Sequence, residues 1–239
     1  MLVRRLRRYL GLQLCRIVSR PLSEDASAVG RLSTHISCRL MGERELLPYC
    51  TDPELELSER HVRSALARGD LCVAAFDGAC LVGYEWFAFG PTPHIDGVWV
   101  EFDARARYSY KKFVRPGYRG QRIGPGLSSH GDRWCMQRGC SRTVAFIDLD
   151  NEAAWRASSR LGSRTVGYAG YVSLFGLFLA FRTAGARDCG FRFYYAPRRS
   201  AVTAAARNLS HSGDILQVDF SGRIGGSGSS DEDVGMNSP

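Results

Sequence analysis

Between Phe113 and Leu127 the chain reads Phe-Val-Arg-Pro-Gly-Tyr-Arg-Gly-Gln-Arg-Ile-Gly-Pro-Gly-Leu, and this junction constrains the fold more than any other stretch. An apolar strand ends at Val114, a turn follows, and a helix opens near Gly124. A loop feeding a helix N-terminus presents backbone N–H groups that have no intrahelical partner, which suits phosphate oxygens. The glycines let a ligand approach the backbone, and Arg115, Arg119 and Arg122 bring positive charge. The junction is neither a P-loop nor a dinucleotide fingerprint, because both glycine spacings are absent. An ordinary strand-to-helix loop with exposed arginines fits the same residues.

The elements around the junction predict a mixed α/β domain. Ile36 to Met41 reads as a strand, and Ser58 to Arg68 as a helix capped by Ser58, with Val62 and Leu66 on one face and Gly69-Asp70 ending it. Leu71–Phe76 and Cys80–Phe89 flank Asp77-Gly78, a hairpin signal. Gly97–Phe102 and Tyr108–Val114 read as strands, Gly124–Arg138 as a helix, Arg142–Leu149 as a buried strand and Asn151–Leu161 as a short helix. Val166–Phe175 and Leu177–Arg182 close the pattern as strands, around a central β-α-β-α run.

The termini differ from this middle. In residues 1–20, Val3, Leu6, Leu10, Leu14 and Ile17 recur at helical spacing, with Arg4, Arg5, Arg7, Arg8, Arg16 and Arg20 forming a basic face. Three readings stay open: a helix docked on the domain, a helix lying on an anionic membrane surface, or an organellar transit peptide. Residues 1–29 are therefore expected to be a basic amphipathic helix and linker, 30–220 the folded domain, and 221–239 a disordered Gly/Ser/acidic tail.

With 44% hydrophobic and 11% aromatic residues, the 239-residue chain can bury an ordinary core. A net charge of +8 attracts anions in general, without choosing among nucleic acid, lipid and a polyphosphate cofactor. The eight cysteines show no C-x-x-C pair and the five histidines no metal-binding spacing, so free buried thiols and no metal site are expected. No apolar run reaches the length of a membrane-spanning helix.

Two segments in order carry a resemblance. Val114-Arg115-Pro116 followed by Arg119 through Gly124 resembles the acetyl-CoA-binding signature of the GNAT acyltransferase superfamily, Gln/Arg-x-x-Gly-x-Gly/Ala after Val-x-Pro. One helix and one strand downstream, Asn151-Glu152-Ala153-Ala154 through Arg160-Leu161-Gly162 resembles the family's later helix. The resemblance implies a GNAT-like, mostly antiparallel sheet with splayed central strands flanked by helices. It also implies an N-acyltransferase that moves an acyl group, most simply acetyl, from acyl-CoA to an unidentified amine.

On that resemblance, Arg119, Gln121, Arg122, Ile123, Gly124 and Gly126 would hold the pyrophosphate. Phe113 and Val114 would meet pantetheine and thioester, and Asn151 would orient the cofactor arm. The strand Tyr108–Val114 would splay from Val144–Leu149 to admit the pantetheine. Three residues depart from the pattern: Arg122 stands at the signature's first glycine, Pro125 removes an N–H, and Ser158 stands where many members place a tyrosine acid. Tyr168 or Tyr171 are alternative acids, and Glu85, Glu101 and Asp103 are the nearest carboxylates for a base, with His94 behind them. The late aromatic run is expected to be core. A non-catalytic GNAT-like module binding acyl-CoA or a membrane surface is the competing reading, and a nucleic-acid binder ranks last. A cytoplasmic location, with peripheral membrane contact through the N-terminal helix, is the corresponding expectation.

Overall fold

A computed structural model describes residues 11–23, 32–174 and 176–196. Its architecture follows from strand pairing. Asp77-Gly78 turns β3 (Leu71–Asp77) into β4 (Cys80–Ala88), and the two pair antiparallel. Outward from β3 lies β2 (Ile36–Met41), and on the other side of β4 lies β7 (Ala106–Val114). Beyond β7 come β8 (Arg142–Asp148), β1 (Leu12–Pro21), β9 (Arg164–Leu174) and β10 (Leu177–Arg182), completing an eight-stranded sheet. The pairings described are antiparallel except for β7 with β8.

That parallel pairing is short. It joins Ala106 to Arg142, Arg107 to Thr143 and Tyr108 to Val144, and then the ladder stops. Each strand stays anchored on its far side: β7 pairs with β4 up to Val114, and β8 pairs with β1 up to Asp148. The two strands therefore diverge into a V between Ser109–Val114 and Ala145–Asp148, as the sequence reading expects. The cause lies in register. Trp86 faces Lys111 while Phe87 faces Ser109, so Tyr110 is one residue too many in β7. Such a bulge bends the strand that carries it.

Layers cover both faces. On one, α1 (Glu43–Leu46), α2 (Glu59–Ala67) and 3-10 turns pack Leu46, Leu55, Val62 and Ala65 onto Cys72, Ala74, Tyr84 and Trp86. The same face carries a small sheet of β5 (Thr92–Ile95), β6 (Val98–Glu101) and β11 (Arg192–Tyr195), seated over β7, β8, β1 and β9. Phe102, Tyr108, Tyr171, Phe191 and Phe193 meet there, so three members of the late aromatic run are core with Phe178 packed against them, while Tyr168, Phe181 and Tyr195 are exposed. On the opposite face α3 (Ile123–Gln137) buries Ile123, Leu127 and Cys135 against Val73, Ala75, Val82 and Phe87. The helix α4 (Glu152–Arg160) meets Arg16 of β1 through Glu152 and Trp155, and α5 (Ala184–Asp188) packs on β9.

One expectation is overturned. Leu12–Pro21 is a strand in the interior of the sheet, not part of a helix. Two short stretches obey both periods, and pairing on both edges decides for the strand. Its arginines are not a solvent-facing stripe. Arg20 donates to Asp132 of α3 at 2.6 and 2.8 Å, while Arg16 pairs with Glu152 and lies over Trp155 of α4. The folded unit therefore includes residues ahead of position 30. Residues 1–10, 197–220 and the tail expected over 221–239 lie outside the described residues. All eight cysteines are free, and among the described residues no His/Cys/Asp/Glu group has the arrangement of a metal site. No helix among them is long and apolar enough to cross a membrane.

Candidate active site

The open end of the V points to the start of α3. There the chain passes through Gly120 at φ +85° and Arg122 at φ +61° before the helix begins at Ile123. Both are left-handed, so Arg122 takes at the helix N-cap a conformation that suits glycine. The exposed turn aims the first amides of α3 toward the end of β7. Pro125 lacks an N–H, and the Gly126 N–H already donates to the Arg122 carbonyl at 3.0 Å. Among the described residues no carbonyl accepts from the amides of Gln121, Ile123 and Gly124, which suits an anion there, and Gly126 does not join them. Gly126 serves packing instead: a Cβ there would lie 2.4 Å from Leu32 Cδ1.

The arginines divide as well. Arg119 and Arg122 are exposed, with Arg119 Nε donating to the Val114 carbonyl at 3.3 Å. Arg115, expected to add charge, is spent elsewhere: it pairs with Asp52 and Glu54 and donates to Leu81 O at 2.7 Å. Its charge is neutralised before it reaches the junction. Ile123 is buried, so only its backbone can meet a ligand.

Along β7 the ladder decides which amides face the gap. Arg115 N–H donates to Val82 O at 2.9 Å, and alternation then turns the Phe113 and Lys111 amides toward β4. The Val114 and Lys112 amides consequently face the gap, so Phe113 does not offer its N–H there. Phe113 stacks its ring on Tyr84 at 5.5 Å. Across the gap, Asn151 caps α4, accepting from the Ala154 N–H at 3.1 Å, and Ser158 sits part-buried one helix face along.

The carboxylates expected to act as bases are engaged. Glu85 is 1% exposed beneath α3, where Ser109 and Ser128 donate to it at 2.6 and 2.7 Å and Lys112 pairs at 3.1 Å. Glu101, on the small sheet, accepts from Arg192 at 2.6 Å. Asp103 accepts from the Arg105 amide at 2.8 Å and from Arg142 at 2.6 Å. Of the alternative acids, Tyr171 is buried in the core while Tyr168 is exposed on the other side of the sheet.

A different cluster borders the bulge, on the face covered by α2. Tyr110 donates to Asp70 Oδ2 at 2.9 Å, and Arg68 donates to the same oxygen at 2.7 Å. His61 lies edge-on to Trp86 at 5.1 Å and to Tyr110 at 5.9 Å. Burial holds the His61 imidazole down, helped by Lys111 and Arg68, to a pKa of about 4. Burial pushes the Asp70 carboxyl up, against the pull of Arg68 and Tyr110. Beyond Tyr108, His94 packs against Phe146, Tyr171 and Phe193, and burial also lowers its basicity. Between α2 and the β5–β6 hairpin runs a cleft of about 280 Å³, lined by Arg60, Pro93, Ile95, Asp96 and Trp99. Sequence reading missed Asp70 and His61 because their partner Tyr110 on β7 lies 40 residues from Asp70 and farther still from His61, and only pairing brings them together.

Comparison with known proteins adds the family. No curated protein matches the chain. Among solved structures it is similar, at 16% identity and a TM-score of 0.46, to a tandem GNAT protein from the clavulanic acid biosynthesis pathway, over 77% of this chain and 53% of that one. It is also similar to an aminoglycoside acetyltransferase from an uncultured soil metagenomic sample, at 13% identity and a TM-score of 0.43, over 54% of this chain and 88% of that one. A third, AAC(6')-Iy in complex with a CoA-containing bisubstrate analogue, shows 15% identity and a TM-score of 0.44, over 54% and 90%. A family model for the acetyltransferase (GNAT) family matches residues 43–162, half of the chain, and that span holds the V, the left-handed turn and α4. The chain belongs to the GNAT family of acetyltransferases.

Proposed function

We propose that this chain transfers an acyl group, most simply acetyl, from acyl-CoA to an amine nitrogen. The single observation that carries the reading is the V, where β7 and β8 stop pairing after Tyr108 and Val144 with the left-handed turn and the α3 amides at its open end. A cofactor with an anionic head and an amide-bearing arm suits that arrangement. The pyrophosphate would meet the amides of Gln121 to Gly124 with Arg119 and Arg122 beside it, since a helix N-terminus favours anions. The pantetheine would run along β7, its amides facing those of Val114 and Lys112. From Val114 back to the bulge at Tyr110 is about 13 Å at ~3.3 Å per residue, so the thioester end would lie near Tyr110. Asn151 would meet the arm from the opposite strand.

The chemistry then follows from donor and acceptor. A gap-facing backbone N–H of β7 would stabilise the oxyanion as the amine attacks the thioester carbonyl. The C–N bond forms, the C–S bond breaks, and CoA leaves as a thiolate. A thiol pKa of ~8.5 makes that departure easy, so Ser158 in place of an acidic tyrosine is no obstacle. The cleft between α2 and the β5–β6 hairpin would admit the acceptor from the other face.

The test is release of free CoA thiol from acetyl-CoA in the presence of amines, with acetyl-CoA affinity measured separately by calorimetry. Amine-dependent release supports the transferase. Tight acetyl-CoA binding with no release for any amine would leave a binding module instead.

A further inference from the structure

An alkyl amine arrives mostly as its ammonium at neutral pH, with a pKa of ~10.4, and cannot attack a carbonyl until it loses a proton. The carboxylates expected for that step are tied elsewhere: Glu85 lies saturated under α3, while Glu101 and Asp103 are paired with arginines. At the bulge itself, however, a carboxylate stands behind a phenol. We propose that Tyr110 and Asp70 form the proton relay that deprotonates the acceptor ammonium, with Tyr110 touching the amine and Asp70 holding the proton behind it. This inference rests on the transferase reading above.

Four observations support it. Tyr110 is the surplus residue of the bulge, at the point where β7 leaves β8 and where the thioester end of the cofactor would lie. Its hydroxyl donates to Asp70 at 2.9 Å, leaving the phenolic lone pairs as acceptors. Asp70 is 4% exposed while Tyr110 is only part-buried, so the phenol is the more accessible end of the pair. Four buried side-chain polar atoms lack a partner among the described residues, and three of them, His61 Nε2, Arg68 Nε and Trp86 Nε1, belong to side chains of this cluster. Buried polar groups are rarely left unpaired, and several together suit a place that a ligand's polar group completes.

The step balances. The ammonium proton passes to Tyr110 Oη as the phenolic proton passes to Asp70 Oδ2. The amine becomes neutral, Asp70 becomes the acid, and Tyr110 is unchanged. After C–N bond formation the amine's second proton neutralises the thiolate, and Asp70 returns its proton to water. Asp70 meets Arg68 just past α2 and Tyr110 of β7; around that pair lie His61 of α2 and Cys72 of β3 beside Tyr110, Lys111 beside His61, and Arg138 just past α3, which donates to Gly69 O. Burial raises the affinity of Asp70 for the proton it receives, and Arg68 pulls the other way by favouring the carboxylate form.

The experiment compares two nucleophile classes with wild type, Tyr110→Phe and Asp70→Asn, each shown by circular dichroism and acetyl-CoA calorimetry to be folded and cofactor-competent. Spermidine and neamine represent amines protonated at neutral pH, and benzhydrazide represents a nucleophile already neutral at pH 7. Both variants should lose ~10²–10⁴-fold in kcat/KM for the amines and little for the hydrazide. Their amine profiles should rise about tenfold per pH unit toward the amine pKa, where wild type levels off near neutrality. Equal losses on both nucleophiles, or no loss on amines, would overturn the relay while leaving transfer intact. If wild type binds acetyl-CoA and transfers to none of the three, the transferase reading falls and the relay with it.

Discussion

Replacing Arg122 by glycine separates two roles that the native residue combines. Arg122 holds φ +61° at the N-cap of α3, and a side chain in that conformation costs ~1–2 kcal/mol. Glycine relieves the strain but returns ~0.4–1 kcal/mol through the greater freedom of the unfolded chain. The net expectation for Arg122→Gly is stabilisation by about 0.5–1 kcal/mol, a Tm rise of about 1–4 °C at this size. The same change deletes a guanidinium beside the amides of α3. A hydrogen bond to a charged group is worth ~1.5–3 kcal/mol when shielded, and exposure reduces it. Affinity for acetyl-CoA should therefore fall by roughly tenfold, with a weaker salt dependence. Differential scanning calorimetry and calorimetric titration in two salt concentrations read both effects. A less stable variant would show that Arg122 stores no strain at the turn, and an affinity equal to wild type would remove its guanidinium from the phosphate site.

Three further outcomes follow from the geometry. Arg119→Glu reverses a charge at the exposed turn without touching the core, and should leave the fold intact while weakening acetyl-CoA binding by roughly tenfold or more; unchanged calorimetric affinity would remove Arg119 from the site. Asp132 is 2% exposed between Arg20 and Arg107, itself fully buried, so Asp132→Ala should cost ~3–5 kcal/mol by stranding two arginine charges, read as a lower urea midpoint. The His61 pKa is about 4 in the fold against 6.5 outside it, so protonation favours the unfolded chain. Its contribution is complete above pH 6.5 and lost as pH falls toward 4; His61→Phe should flatten the urea midpoint across that window, and an unchanged slope would exclude His61 as its source.

Legibility in the sequence followed the range of the interactions. Asp77-Gly78 and the Ser58 cap act over a few residues, and each folds as read. The left-handed turn was local too, which is why Arg119 to Gly124 could be recognised and Arg122 singled out as the odd member. Leu12–Pro21 was misread because its leucines also satisfy a helical period, and only β8 and β9, more than a hundred residues away, select the strand. The exact position of the bulge at Tyr110 depends on pairing with Trp86 and Phe87, so the two tyrosines of β7 look equivalent in sequence. Charge was equally deceptive. Arg115 belongs to the same motif as Arg119, yet Asp52 and Glu54 neutralise it from a turn that no local pattern links to it. The short strands β5 and β11 have four residues each, too few for a periodic signal.

The proposed function requires acetyl-CoA to lie in the V with its phosphates on the turn before α3. Backbone amide chemical shifts of the whole chain, followed during titration with acetyl-CoA, test it most directly. The largest shifts should fall on Lys112, Val114 and Gln121 through Gly124, with smaller ones at Asn151 and Tyr110. Saturable binding whose shifts lie elsewhere, or no binding at millimolar acetyl-CoA (K weaker than about 1 mM, ~4 kcal/mol), would contradict it.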